Sequence, residues 1–456
     1  VSLETKPSPL LAVALGTTLV LVTYVTPVVS VPATALDLGV GVAERSWILS
    51  AMSVGLAAAL LVSGVIGDTI GRRRVYDRGL VLLALGGAMC AVAPAPWVVV
   101  VGRLVQGLGG AAVLACGLSL LAVHFAPGPA RVHATAVWGA SVGMGIALGC
   151  VVTAAVGEVG TGWRETYGVT AVAALALLPL GRAVPESRAV DPRRIDRPGL
   201  VLLVVAMTAL VTAVIELRNG VGVLTAVLLV AAAGTFAVFG LVESRVDEPL
   251  VEPALLLRPG FLAATLGSLT LGMGMIGVAT FVPTVLQVGL GRGLWTASLV
   301  PAVWAVVSVA TSLALRRLPF EVSGPGHIAA ALALVAAGQA LGLGLSADSG
   351  PWRLVVMMAA AGVGTGVLNA VLGRESVANV PPDRSAMGSG ANNTARYLGA
   401  ALGITVFVTI ASDRDSLVAG WNAALAVAIV LTLLGAAAIA LVGRRATPLA
   451  RPVTPG

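Results

Sequence analysis

Two arginines and one carboxylate stand where charge is costly, and their spacing limits what they can do. Gly64-Val65-Ile66-Gly67-Asp68-Thr69-Ile70-Gly71-Arg72-Arg73-Arg74 is a short charged turn between two long apolar runs. Asp68 and Arg72 are four residues apart, and the glycines permit close backbone approach. The acid can therefore face a helix N-terminus while the arginine reaches a partner carboxylate. A charge cluster of this kind can latch one conformation, which makes Asp68, Gly71, Arg72 and Arg73 gate residues. The arginines alone would serve equally as orientation signals, but a lone acid among basic residues adds nothing to topology. Arg103 follows Gly102 and precedes Gln106-Gly107, about 9 Å into an apolar run at about 1.5 Å per residue, and Arg396 lies about 15 Å into another. An arginine at such depth must face protein, a water-filled cavity or an anionic substrate group. The polar side chains able to line a central cavity with Arg396 are Gln287, Gln339, Asn369, Asn392, Asn393 and Tyr397. Interhelical hydrogen bonding is the alternative role for the same groups.

Other chemistry is thin. The three histidines, His124, His133 and His327, and the three cysteines, Cys90, Cys116 and Cys150, have no metal-ligand spacing, so no metal or cofactor is expected. The cysteines read as small packing residues. No nucleophile–base pair or phosphate-binding loop is present, so an enzyme is not expected. Of the 21 acids none falls at the centre of an apolar run. Glu158, Glu165 and Asp68 are the carboxylates left for carrying a proton; solvated loop acids are the equal alternative for the first two. Aromatic residues are only 4% of the chain, which argues against an aromatic cage for flat cations. Central arginines without central acids favour a neutral or anionic small-molecule substrate.

These residues need long apolar elements to hold them. Hydrophobic residues make up 57% of the 456 and charged residues 11%, against about 25% charged in soluble domains. Apolar windows fall near 9–31, 47–66, 79–95, 97–123, 134–156, 164–181, 199–216, 222–242, 261–285, 295–315, 327–346, 352–373, 386–410 and 418–442. Each is close to the length that crosses a bilayer as a helix. Fourteen spans with the N-terminus inside place 20 of the 28 Lys and Arg on the cytoplasmic side and six outside, with Arg103 and Arg396 within spans. That bias puts both termini in the cytoplasm and explains the net charge of +7 without nucleic acid. No small-residue cleavage site follows the first run, so a cleaved signal peptide is not expected. Polar breaks at 182–198 and 243–259 divide the chain into residues 1–181 with six helices, 182–258 with two inserted helices and linkers, and 259–456 with six more. No internal repeat is evident, and the two-bundle symmetry rests on helix count.

The turn pattern G-x-x-x-D-x-x-G-R-R resembles the loop between the second and third helices of the major facilitator superfamily, and Arg103-Leu104-Val105-Gln106-Gly107 resembles its R-x-x-Q-G motif. In the fifth span, Gly139, Gly143, Gly145 and Gly149 are similar to the antiporter motif of its drug-exporter branch, a spacing suited to close helix packing. Pro32 to Gly39, Trp47, Glu248-Pro249-Leu250, Phe261, Pro283, Leu286-Gln287, Asn393, Arg396 and Leu398-Gly399 extend the likeness to the fourteen-helix drug:proton antiporter family. The resemblance implies an all-α membrane protein of the major facilitator fold, two six-helix bundles plus two inserted helices. It implies gating at Asp68, Gly71, Arg72 and Arg73, and proton coupling at Arg103. It further implies export of a drug or natural product from a bacterial cytoplasm in exchange for protons, by a monomer. Two positions depart from the pattern. Thr23 stands where the family commonly has aspartate, and Cys150 where its motif has proline. They open the alternative of a carrier for a neutral or anionic metabolite without proton coupling. A non-transporting sensor or scaffold is the other alternative, and the intact Asp68, Arg72 and Arg103 argue against it.

Overall fold

The computed structural model describes residues 9–125, 129–188, 197–216, 222–246, 258–315, 322–380, 385–412, 414 and 416–445. Lys6, Arg193, Arg194, Arg218, Glu248-Pro249-Leu250, Arg316, Arg317, Arg384 and Arg451 lie outside these residues. Within them the regular elements are helices: α1 (Pro9–Leu38), α2 (Val42–Ile70), α3 (Arg72–Ala91), α4 (Pro96–His124), α5 (Pro129–Val156), α6 (Trp163–Ala176), the short α7 (Leu178–Ala183), α8 (Arg197–Glu216) and α9 (Val223–Glu243). There follow α10 (Pro259–Gly289), then α11 (Leu294–Ala314), α12 (Gly324–Ala340), α13 (Trp352–Ala378), α14 (Ser385–Ser412) and α15 (Leu417–Arg445). Hydrocarbon offers the backbone no partner, so a chain this apolar satisfies its N–H and C=O groups within each segment.

Ten of the described helices are long and apolar enough to cross a membrane. The remaining spans are α3, which opens on three arginines, α6 with α7 as its continuation, α8, and the 17-residue α12. Prolines open α4 and α10, where the missing N–H would have had no partner in any case. Helices α1–α6 pack among themselves, as do α10–α15, and the two bundles meet where α2 lies on α14 and α5 on α11. The inserted pair α8–α9 forms a hairpin that leans on α2 and α14 through α8. Helix α9 exposes Val223, Leu224, Val227 and Val230, as a helix bathed in lipid can.

The structure uncovers a repeat that the sequence does not advertise. Pro96-Trp97 and Pro351-Trp352 open α4 and α13, the central helices of their bundles. Eleven residues after each proline comes a glycine that seats a neighbouring helix: a Cβ on Gly107 would stand 2.5 Å from Met52 O of α2, and one on Gly362 3.0 Å from Trp304 O of α11. Two residues later Gly109 meets Gly79 O of α3 at 2.6 Å, and Gly364 meets Val335 N of α12 at 2.8 Å. The same spacing thus builds equivalent helix pairs in both halves, although few other side chains match.

Candidate transport site

Helix α1 carries two prolines, and both turn its backbone into a binding surface. Pro27 has no N–H to give Thr23 O, and its ring crowds that carbonyl off the helical ladder. Arg103, wholly buried on α4, takes the opened groups: Nη1 donates to Thr23 O at 2.7 Å and Nη2 to Tyr24 O at 3.1 Å. Nη1 also donates to Gln106 Oε1 at 2.9 Å. The buried cation is therefore held by oxygen dipoles rather than by a carboxylate. Pro32 repeats the device further along α1. It withholds an N–H from Val28 O, and Gln287 Nε2 from the other bundle donates to the adjacent Val29 O at 3.2 Å.

Between the bundles, about midway along α1 and α14, lies a contracted cavity of about 80 Å³. Leu21, Tyr24, Val25 and Val28 of α1 and Val142, Ile146 and Cys150 of α5 form one wall. Ile276 and Thr280 of α10, Trp304 of α11, Thr365 and Asn369 of α13, and Arg396 and Tyr397 of α14 form the other. Tyr24 and Tyr397 meet edge to face across the bundle boundary, ring centres 5.7 Å apart. Helix α10 departs from α-geometry beside Arg396, with π-turns at Gly272–Ile276 and Val285–Gly289. Turns of this kind are frequent at functional sites. Here Gly272 lets α10 close on the Arg396 carbonyl, while Gly399 and Gly403 of α14 lie against Leu269 O and Met273 O.

At one face the charged turn is a docking point. Gly71, with φ +119°, joins α2 to α3. Arg72 Nε donates to Asp68 Oδ1 at 2.8 Å within the turn. The segment after α7 folds over it: Arg72 N donates to Ser187 O at 3.0 Å, Arg73 N to Glu186 Oε1 at 2.9 Å, and Arg73 Nη1 to the carbonyls of Arg182 and Val184. Glu186 also pairs with Arg74 at 3.7 Å. Its carboxylate thus receives an otherwise orphaned N–H at the positive end of α3. At the opposite face Trp295 Nε1 donates to Glu158 Oε1 at 2.8 Å, joining α11 to the end of α5. Nearby, Asp37 accepts from Trp163 and Arg164 and ties the end of α1 to the start of α6.

A sequence profile of the Major Facilitator Superfamily matches residues 12–404. This chain belongs to that superfamily. It is 30% identical over 84% of its length to the multidrug efflux pump LfrA of Mycolicibacterium smegmatis, covering 76% of that protein. It is 30% identical over 90% of its length to the tetracenomycin C resistance and export protein of Streptomyces glaucescens, covering 77%. To the probable actinorhodin transporter of Streptomyces coelicolor it is 28% identical over 84% of its length, covering 68%. Among solved structures it superposes on the peptide transporter POT in complex with sulfate, with a TM-score of 0.70, 17% identity and 97% and 96% of the two chains covered. That likeness is one of fold. The protein is a transporter of this superfamily, not an enzyme.

Against the superfamily frame, the residues singled out from sequence fall in different places. Asn369, Arg396 and Tyr397 line the cavity. Gln339 is buried on α12, where it donates to Gly274 O in the π-turn, and Asn392 bonds Ser268 and Ala264 O of α10. Asn393 bonds Ser389 O of its own helix, and Gln287 bridges the bundles. Glu165 is half-buried and closes its own turn through Thr161, and neither it nor Glu158 lines the cavity. Gly145 and Gly149 seat α5 on Thr18 O and Val22 of α1, Gly143 meets Val309 of α11, and Gly139 has open space. Sequence reading passed over Glu186, Asp37, Tyr24, Trp304 and the two opened stretches of α1 backbone. Pro27 and Pro32 inside an apolar run, and an acid just past the sixth span, were the available signals.

Proposed function

We propose that this chain exports an amphiphilic drug or natural product across a bacterial cytoplasmic membrane by alternating access, acting as a monomer. Residues 1–181 and 259–456 rock as units about the Arg396 cavity, with 182–258 as linkers and inserted hairpin. The arginine-rich face is cytoplasmic, with both termini on that side, following the bias of Lys and Arg. The observation that carries the reading is the cavity at the bundle boundary, closed towards one face by the cross-bundle hydrogen bonds from Gln287 and Trp295. Both bonds lie towards the end away from the arginines, so this conformation is the one closed to the outside. Relatives named as an efflux pump and as an export protein, matched over most of the chain, support the same reading. Asp68, Gly71, Arg72 and Arg73, with Glu186, form the cytoplasmic gate.

Proton exchange is the drive that the resemblance to the fourteen-helix antiporter family implies, with Arg103 holding α1, and Glu158 and Glu165 as the acids on the outer side. A second reading, a carrier of neutral or anionic compounds that moves no protons, is favoured by one observation: among the described residues no carboxylate lines the cavity. Purified protein in liposomes with an imposed pH gradient decides between them. Internal pH that moves with substrate, and stays still without it, supports exchange. Substrate flux with no pH change supports the second reading, and no flux of any compound sinks both.

A further inference from the structure

We infer that the cavity takes an amphiphilic organic anion, whose carboxylate, sulfonate or ionised enol is held by Arg396. The inference rests on the reading of this cavity as the transport site. Arg396 is the one charged side chain among the described residues that line it. No described residue accepts a hydrogen bond from its guanidinium, and its Nε is sealed from solvent with no partner. Arg103 shows the contrast. Both terminal nitrogens of that arginine are spent, on two backbone carbonyls and a glutamine, although its Nε too lacks a partner. A guanidinium left unpaired in the apolar middle of a membrane protein is costly, and a bidentate anion offsets the cost better than any neutral group. Most of the other polar groups of the wall are engaged. Trp304 Nε1 donates to Thr365 at 3.0 Å, Thr280 bonds Gly277 O, and the Tyr24 hydroxyl is paired with Ser53 at 2.9 Å. Asn369 leaves its Oδ1 without a partner, an acceptor for a hydroxyl on the same ligand. The rest of the wall is aliphatic and aromatic and calls for an apolar ring body. A cation in this space would meet the arginine with nothing to balance either charge.

Anion binding at Arg396 also sets what drives transport. A carrier loaded with a monoanion has a neutral centre, whereas the empty carrier returns with the arginine's positive charge. Net negative charge leaves the cell in each cycle, so a membrane potential negative inside favours export. No titrating carboxylate in the cavity is required.

Two permanently charged probes of matched shape test this, anthracene-9-sulfonate and (anthracen-9-ylmethyl)trimethylammonium, neither able to cross lipid as a neutral species. Liposomes holding the full chain are expected to accumulate the sulfonate saturably, faster when the accepting side is made positive, and to leave the ammonium behind. Sulfonate binding to protein in nanodiscs should weaken about tenfold or more in Arg396→Gln and less in Arg396→Lys. Transport of the ammonium in preference to the sulfonate overturns the anion while leaving the transporter standing. So does sulfonate affinity unchanged in a folded Arg396→Gln. If Arg396→Gln does not fold, the wild-type ranking of the two probes decides alone. Movement of neither probe, while another compound is carried, overturns the anion only; movement of nothing at all overturns the transport reading with it.

Discussion

Arg103 is tolerated in the apolar interior because a proline on another helix exposes the carbonyls it needs. Pro27 and Arg103 are thus one device split between α1 and α4, and they should couple. In Pro27→Ala the regained N–H can return to Thr23 O, leaving less for the arginine to satisfy. Arg103→Met alone is expected to cost about 1–3 kcal/mol of stability for each buried carbonyl left unpaired. The same change in the Pro27→Ala background should cost measurably less, as a double-mutant cycle of thermal unfolding in detergent would show. Additive losses would mean that the proline and the arginine act separately. A second residue-scale prediction concerns Gly71. Its φ of +119° and the Glu186 carboxylate 2.7 Å from the site of a Cβ leave no room for a side chain. Gly71→Ala should displace the docked segment, and Glu186→Gln should loosen it by removing the charge that meets Arg73 and Arg74. Both are expected to speed tryptic cleavage after Arg188 severalfold relative to wild type and to slow transport. Unaltered cleavage would show that the docking contributes nothing.

The elements that matter most are those with broken regularity. Two prolines in α1 and two π-turns in α10 lie on either side of the cavity, so the wall is assembled from helices whose backbones are bent or widened at that depth. Glycines hold the irregular helix in place, since a Cβ at Gly403 would lie within 2.1 Å of Met273 O and one at Gly399 equally close to Leu269 O. Gly403→Val should therefore wedge α14 away from α10, lowering stability by about 1–3 kcal/mol and abolishing probe binding in the cavity. Gly139→Val on α5, which meets open space, serves as the contrast and should leave both properties near wild type. Equal damage from both would remove the packing argument.

At the scale of the molecule, the two bundles are joined by α2 on α14 and α5 on α11, while the cross-bundle hydrogen bonds described here gather towards one face. Opening that face must break Trp295 from Glu158 and Gln287 from Val29. Cysteines placed at Glu158 and Trp295 and bridged by a bifunctional methanethiosulfonate should stop transport, and reductant should restore it. The native Cys90, Cys116 and Cys150 are buried and should not compete for the reagent. Full transport in the bridged protein would show that this face need not open. Among the described residues the α8–α9 hairpin leans on the bundles chiefly through α8, which fits a lipid-facing insertion better than a moving part.

Residue order alone determined the number of helical spans, with ends displaced by as much as seven residues at α1 and α3, because a backbone in hydrocarbon has to satisfy its own hydrogen bonds and apolar length then dictates the helix. It also marked Arg103 and Arg396 as buried charges and the Asp68–Arg72 turn as a charge cluster, although Asp68 pairs with Arg72 itself and the acid at the helix N-terminus is Glu186. Nothing in the order of residues says which way a polar group on an apolar helix faces. Gln339, Asn369 and Asn392 are alike in sequence, yet only Asn369 opens on the cavity, because α10 lies over the other two. Glu186 reads as an ordinary linker acid until α3 presents its N-terminus more than a hundred positions earlier in the chain. Helix rotation and long-range pairing come from packing between segments. That is why tertiary structure alone decided that one buried arginine is spent on backbone carbonyls and the other is left free.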